Sequence, residues 1–234
     1  MEDHKVLNQY EILNSETHRD LMIGTGVAAY PNFVNIFLSE FPAAASSCPI
    51  FFAKDANTGE FYAAALFGFR KGELLVDGAE QGKAAFRPLD LLRQGFFASE
   101  ENIAIDPSHP RFGPGATIRL FDEDGQPTGA LRNIQRVIGG VMTGRDETKA
   151  FIKEMLDLKV IEPIDIDLSF DDGEKLSLDG LYAVSRDALL DLDDATVVRL
   201  YRNFYIQAAW CAAFSLNQVA VLARRRNEQL AAGL

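Results

Sequence analysis

Apolar and polar positions change period along this chain, and the period assigns the elements. Pro49 to Lys54 and Phe61 to Phe69 are nearly continuous apolar runs, and Asp55 to Glu60 between them carries the turn formers Asn57-Thr58-Gly59. This pattern predicts a β-hairpin of two well-buried strands. Nearer the N-terminus, short runs at Val6-Leu7, Tyr10 to Leu13 and Leu21 to Ile23 predict short strands. Ser39 stands where it would N-cap a short helix through the alanines Ala43 to Ala45, stopped before Pro49. Leu74-Leu75-Val76, ahead of Asp77-Gly78, extends the sheet, and Pro88 to Gln94 predicts a short helix with proline in its first turn. Further strands are expected at Phe96, at Asn102 to Ile105 and at Thr117 to Phe121. Between the last two lies the proline- and glycine-rich loop Asp106 to Gly115.

From Thr128 the period lengthens. Ala130 to Met142 and Asp146 to Leu158 carry apolar residues at helical spacing, with Gly139-Gly140 and Thr143-Gly144 as interruptions, which predicts a helical hairpin. Val160 to Phe170 then alternates Ile164, Ile166 and Leu168 with Asp165 and Asp167, and Leu176 to Val184 answers it across the turn Asp171-Asp172-Gly173. This is a second hairpin, followed by a helix beginning near Arg186. Asp194 to Gln229 contains neither proline nor glycine and predicts one long helix. Its stretch Phe204 to Leu222 is apolar enough to raise a bilayer-spanning reading. At about 100° per residue, however, Asn203, Gln207, Cys211, Ser215 and Gln218 fall on one stripe. Amides in hydrocarbon cost several kcal/mol each, so the segregated stripe favours a core helix that turns its amides to water or a pocket. The opposite faces, with Ala208, Ala209, Ala212 and Ala213, allow close approach of a sheet or another helix.

The predicted fold class is therefore α+β, antiparallel hairpins packed against a helical hairpin and a long C-terminal helix. A length of 234 residues favours a single domain over 1–234, with 128–158 the one segment that could stand as a helical subdomain. A net charge of −11 argues against nucleic acid as a partner. The basic run Arg224 to Arg226 reads as charge offsetting a helix C-terminus. Cys48 and Cys211 are isolated, and the polar Met1 to Tyr10 has no secretory pattern. A cytoplasmic protein is expected, with export lacking a cleaved signal as the alternative.

Candidate chemistry is sparse. Asp106, His109 and Arg111 bring an acid, an imidazole and a guanidinium onto one loop, and Gln207 and Gln218 on the helical stripe could face the same ligand. These five are the ligand-binding candidates, and no catalytic set is assigned. No metal and no cofactor is expected: His4, His18 and His109 lack ligand spacing, and Gly24-Thr25-Gly26 lacks the rest of a nucleotide fingerprint. Asp122-Glu123-Asp124-Gly125 reads as a β-turn, and Asp191, Asp193 and Asp194 as charges at a helix start.

Six groups of motifs remain: Glu40-Phe41-Pro42-Ala43-Ala44, Pro49-Ile50-Phe51-Phe52 with Lys54-Asp55 and Thr58-Gly59, Phe61 to Gly68, Leu120 to Gly125, Leu178 to Val184 and Ser215-Leu216-Asn217-Gln218. Together they resemble the bacterial SapC-like family. The resemblance covers nearly the full chain, with departures at Cys48, at Gly95 where relatives often carry proline, and through Glu80 to Ala98. It implies a link to a bacterial surface layer, and neighbours that include TonB-dependent receptors and flavin-dependent halogenase-like proteins. A peptide-transporter permease of the same name is unrelated. The resemblance supplies no catalytic residue. The expected function is a non-enzymatic accessory or binding protein with a protein or small-molecule partner. The alternative is an enzyme or enzyme partner with a pocket near the 106–111 loop and the C-terminal helix.

Overall fold

The computed structural model describes residues 10–24, 30–76 and 86–233. The expected strand at Val6-Leu7, His4, Thr25-Gly26 and the turn at Asp77-Gly78 lie outside the described residues. The chain divides into two compact units, Met1–Ala29 with Leu89–Thr143, and Tyr30–Pro88 with Gly144–Leu234. Both are built from antiparallel strands and helices, so the fold is α+β.

In the first unit, β1 (Glu11–Ile12), β7 (Asn102–Ile105) and β6 (Phe96–Ser99) form a three-stranded sheet in that order, and β2 (Met22–Ile23) pairs with β8 (Ile118–Arg119). A short helix α2 (Leu89–Leu92) precedes β6. Ile23, Phe96, Ile105, Leu120 and Phe121 close a core with Leu131, Ile134 and Ile138 from the first half of α3 (Gly129–Asp157). The three helical residues recur at intervals of three and four, the spacing that keeps one face inward.

The second unit is a five-stranded sheet ordered β3 (Phe33–Asn35), β5 (Phe61–Leu66), β4 (Ile50–Lys54), β10 (Lys175–Val184), β9 (Ile161–Ser169). The β4–β5 hairpin has the expected register, Ile50 opposite Ala65 and Lys54 opposite Phe61. Its turn is held by Asp55, whose Oδ1 accepts the N–H groups of Asn57 at 2.9 Å and Thr58 at 2.8 Å. That hydrogen bonding pulls the Asp55 pKa below its ordinary value. The edge strand β9 shows outward Glu162, Asp165 and Asp167 and carries Pro163, which blunts the edge against further pairing. Leu74 to Val76, expected as a strand, forms none.

Three expectations about the helices need correction. The two helical stretches between 130 and 158 are one continuous 29-residue helix, α3, with no hairpin. Gly139, Gly140 and Gly144 keep right-handed backbone there. Two of them answer to packing instead: a Cβ on Gly140 would stand 3.1 Å from Leu89 Cδ1, and one on Gly144 2.7 Å from Phe37 Cβ. Ser39 is not a helix cap. A 3-10 turn Leu38–Glu40 leads into α1 (Phe41–Ala45), and the Glu40 carboxylate accepts the Phe37 N–H at 2.9 Å.

The C-terminal run is divided, the third correction. After α4 (Arg186–Leu190) come α5 (Asp194–Arg202), α6 (Tyr205–Ser215) and α7 (Gln218–Ala231). The first break is sharp because Phe204 adopts a left-handed conformation at φ 61°, while Leu216 and Asn217 stay right-handed and join α6 to α7 as a long helix. Tyr205–Ala231 has the length and composition of a membrane span, and 33% of its most apolar window is buried. Ala208, Ala209, Ala212 and Ala213 of α6 are buried, as the alanine pattern anticipated, and α6 packs on α1, β4 and β10.

Candidate functional site

In the first unit, the loop candidates come together, and their polar groups hold the loop. Asp106 Oδ1 accepts from the Ser108 N–H at 3.0 Å and its hydroxyl at 2.6 Å, forming an Asx-type turn. His109 Nδ1 accepts the Arg111 N–H at 3.1 Å and caps the 3-10 turn Pro110–Phe112. Arg111 Nη1 donates to the carbonyls of Leu92 at 2.6 Å and Gln94 at 3.2 Å, and its guanidinium lies 5.2 Å from the Phe96 ring centroid. Burial pushes the His109 pKa down, Arg111 adds to the push, and Asp106 opposes it. Gly95 sits against this imidazole at φ 81°, where a Cβ would fall 3.2 Å from His109 Cγ. Proline cannot take that backbone angle, so this local conformation needs a residue such as glycine at position 95.

Gln207 and Gln218 belong to the second unit. Gln218 Nε2 reaches the Ser46 carbonyl at 3.4 Å, a contact between α7 and the end of α1. The stripe predicted to face water or a pocket is split in its surroundings. Ser215 is completely buried, accepting the Ile50 N–H at 2.8 Å and donating to the Ala212 carbonyl at 2.6 Å. Asn203 and Gln207, by contrast, line a cleft of about 640 Å³.

This cleft exists because α5 and α6 do not run on as one helix. Phe204, at the break, is 73% exposed on its rim. Leu38, Ser39 and Pro42 form one wall, Tyr205 and Ala208 another, and Glu147 comes from the second half of α3. The Tyr205 ring is fixed edge-on to Phe151, their centroids 5.3 Å apart. Its phenol is pushed above the ordinary range by burial first, then by the carboxylates of Glu154 and Glu147. Gln207 Oε1 is shielded from solvent with no hydrogen-bond partner among the described residues. An unsatisfied buried acceptor costs on the order of 1–3 kcal/mol, and buried polar groups are rarely left so.

Sequence reasoning found Gln207 but not Glu147, Phe204 or Tyr205. Glu147 is one carboxylate among many on an exposed helix face, and a left-handed phenylalanine has no pattern to announce it.

A second cleft of about 520 Å³ runs along β9 and β10 from Glu162 to Ile164 and Ala183 to Asp187. Arg186 beside it stacks over the Phe214 ring at 5.4 Å. The charge of Arg226, expected to offset a helix terminus, has another role in the second unit. α7 continues to Ala231, so Arg226 lies inside the helix, 2% exposed, bonded to Glu174 at 2.6 Å and lying 4.2 Å from the Phe170 centroid. Asp193, as expected, caps α5 by accepting the Thr196 N–H at 3.0 Å.

One family model, described as SapC, matches residues 13–222. Comparison with curated proteins and with solved structures gives no match.

Proposed function

The chain belongs to the SapC family, and we propose that it is a non-enzymatic binding protein whose second unit holds a small molecule in the cleft at the α5–α6 break. The observation that carries this reading is Gln207. A buried amide oxygen with no partner, on the wall of a mainly apolar cleft, is a polar group that a ligand donor would satisfy. The volume, about 640 Å³, lies within the range of small-molecule sites. Phe204 supports it as well: left-handed backbone at a non-glycine residue costs about 1–3 kcal/mol and clusters at functional positions.

The non-enzymatic half of the reading rests on the lining. Its titratable groups are Glu147 and Tyr205, and the tyrosine holds its proton more firmly than usual. No nucleophile is paired there with a base. The family's surface-layer link and its TonB-dependent neighbours make nutrient uptake or surface assembly the setting we propose for the binding.

A ligand-detected NMR screen of small fragments against the full chain tests this. Asn203 is exposed and lines the cleft, so Asn203→Trp fills the space without touching the core. Fragments that bind the wild type and are lost in Asn203→Trp support the reading. Hits that persist in the variant, or no hits at all, refute it.

A further inference from the structure

We infer that the cleft selects an amphipathic cation, a small molecule with an apolar body and a protonated amine or similar nitrogen donor. This rests on the binding reading above and adds the chemistry of the ligand.

The described side chains on the lining supply neutral donors and acceptors and one negative charge, with no cation to balance it. Its polar residues are Ser39, Glu147, Asn203, Tyr205 and Gln207, and no Lys, Arg or His is among them. Glu147 has no ion-pair partner among the described residues, unlike Glu154 two turns further along α3, which is paired with Arg199. A ligand carboxylate in the cleft would meet the Glu147 charge with no cation on the described lining to offset it. An ammonium would gain a charge-assisted hydrogen bond there.

The remaining groups agree. Gln207, which lines the cleft, has an Oε1 in want of a donor among the described residues. Phe204 and Tyr205 place aromatic rings on the lining, a residue type that attracts cations through the ring quadrupole. The Tyr205 phenol is held in its protonated form partly by Glu154 and Glu147, as expected where the local potential is negative. The net charge of −11 extends the same sign over the whole chain and draws cations from a distance.

Three probes with one aromatic body separate the possibilities: phenethylamine, phenethyl alcohol and phenylacetate, each titrated into the full-length protein at neutral pH. Amide shifts of Tyr205, Gln207 and Ala208 report the cleft. Phenethylamine is expected to bind there about two- to five-fold more tightly than the other two, the size of a solvent-exposed ion pair. Glu147→Gln, at an exposed position, is expected to erase most of that preference while leaving the rest of the spectrum unchanged. If the alcohol or the acid binds the cleft as tightly as the amine, or if Glu147→Gln keeps the preference, the cation inference is overturned and the binding reading stands. If no probe moves those amides, both are overturned.

Discussion

Two glycines in α3 allow one substitution to be tried in opposite circumstances. Glycine inside a helix is about 0.8–1 kcal/mol less favourable than alanine. Around Gly139 nothing lies within 4 Å of an added Cβ, so Gly139→Ala should collect the whole gain. For a chain of this length that is a rise of roughly 2–4 °C in melting temperature. Around Gly144 the same methyl would stand 2.7 Å from Phe37 Cβ and 2.8 Å from its Cγ. Phe37 cannot retreat cheaply, because it is buried, its N–H is bonded to Glu40 at 2.9 Å, and Leu38 N–H is bonded to Thr148 Oγ1 at 2.8 Å. Overpacking of this kind costs about 1–3 kcal/mol against the ~1 kcal/mol of helix propensity, so Gly144→Ala should melt level with wild type or up to about 8 °C below it. Scanning calorimetry of both variants, each compared with the wild-type transition it moves, decides the matter. A lower melting temperature for Gly139→Ala would mean a turn at that position, and a clear gain for Gly144→Ala would mean that Phe37 does not lie against it.

Other perturbations bear on separate parts of the account. Ser215→Ala leaves the buried Ile50 N–H without its acceptor and should cost about 1–3 kcal/mol, with faster hydrogen exchange at Ile50; unchanged stability and exchange would place α6 elsewhere. Phe204→Gly relieves a left-handed backbone at an exposed ring and should hold or raise stability by up to about 1 kcal/mol, whereas a larger loss than that would show the ring to be packed. His109 has a folded pKa below its ordinary 6.5, so its neutral form stabilises the fold above that value. That contribution is lost as pH falls from 6.5 through the lower folded pKa, and protonated Nδ1 can no longer accept from Arg111. Stability measured across this window should fall with pH in the wild type and flatten in His109→Gln; equal slopes would contradict the assignment.

Much of the fold was legible because its signals are local. The β4–β5 hairpin needs only two apolar runs and an Asp55 that can bond the turn amides, and all of that is written in adjacent residues. The buried alanines of α6 followed from helical spacing alone. What escaped depends on partners far along the chain. Gly140 and Gly144 read as breaks because a glycine packed close to Leu89 or Phe37 looks the same in sequence as one that ends a helix. Ser215 and Gln207 share a stripe, yet one bonds β4 in the core and the other borders a cleft, and only the placement of Ile50 and of the Phe204 kink separates them. The acidic, basic and imidazole side chains of Asp106, Arg111 and His109 were the conspicuous chemistry of the sequence. In the structure they spend hydrogen bonds on Ser108, on the Leu92 and Gln94 carbonyls and on the Arg111 amide.

Native mass spectrometry of the protein isolated from its own cells, wild type beside Asn203→Trp, addresses the cleft most directly. The wild type should carry a small molecule that is released chemically unchanged on unfolding, and the variant should emerge without it. A bare wild-type chain, or the same added mass on both proteins, would contradict the account.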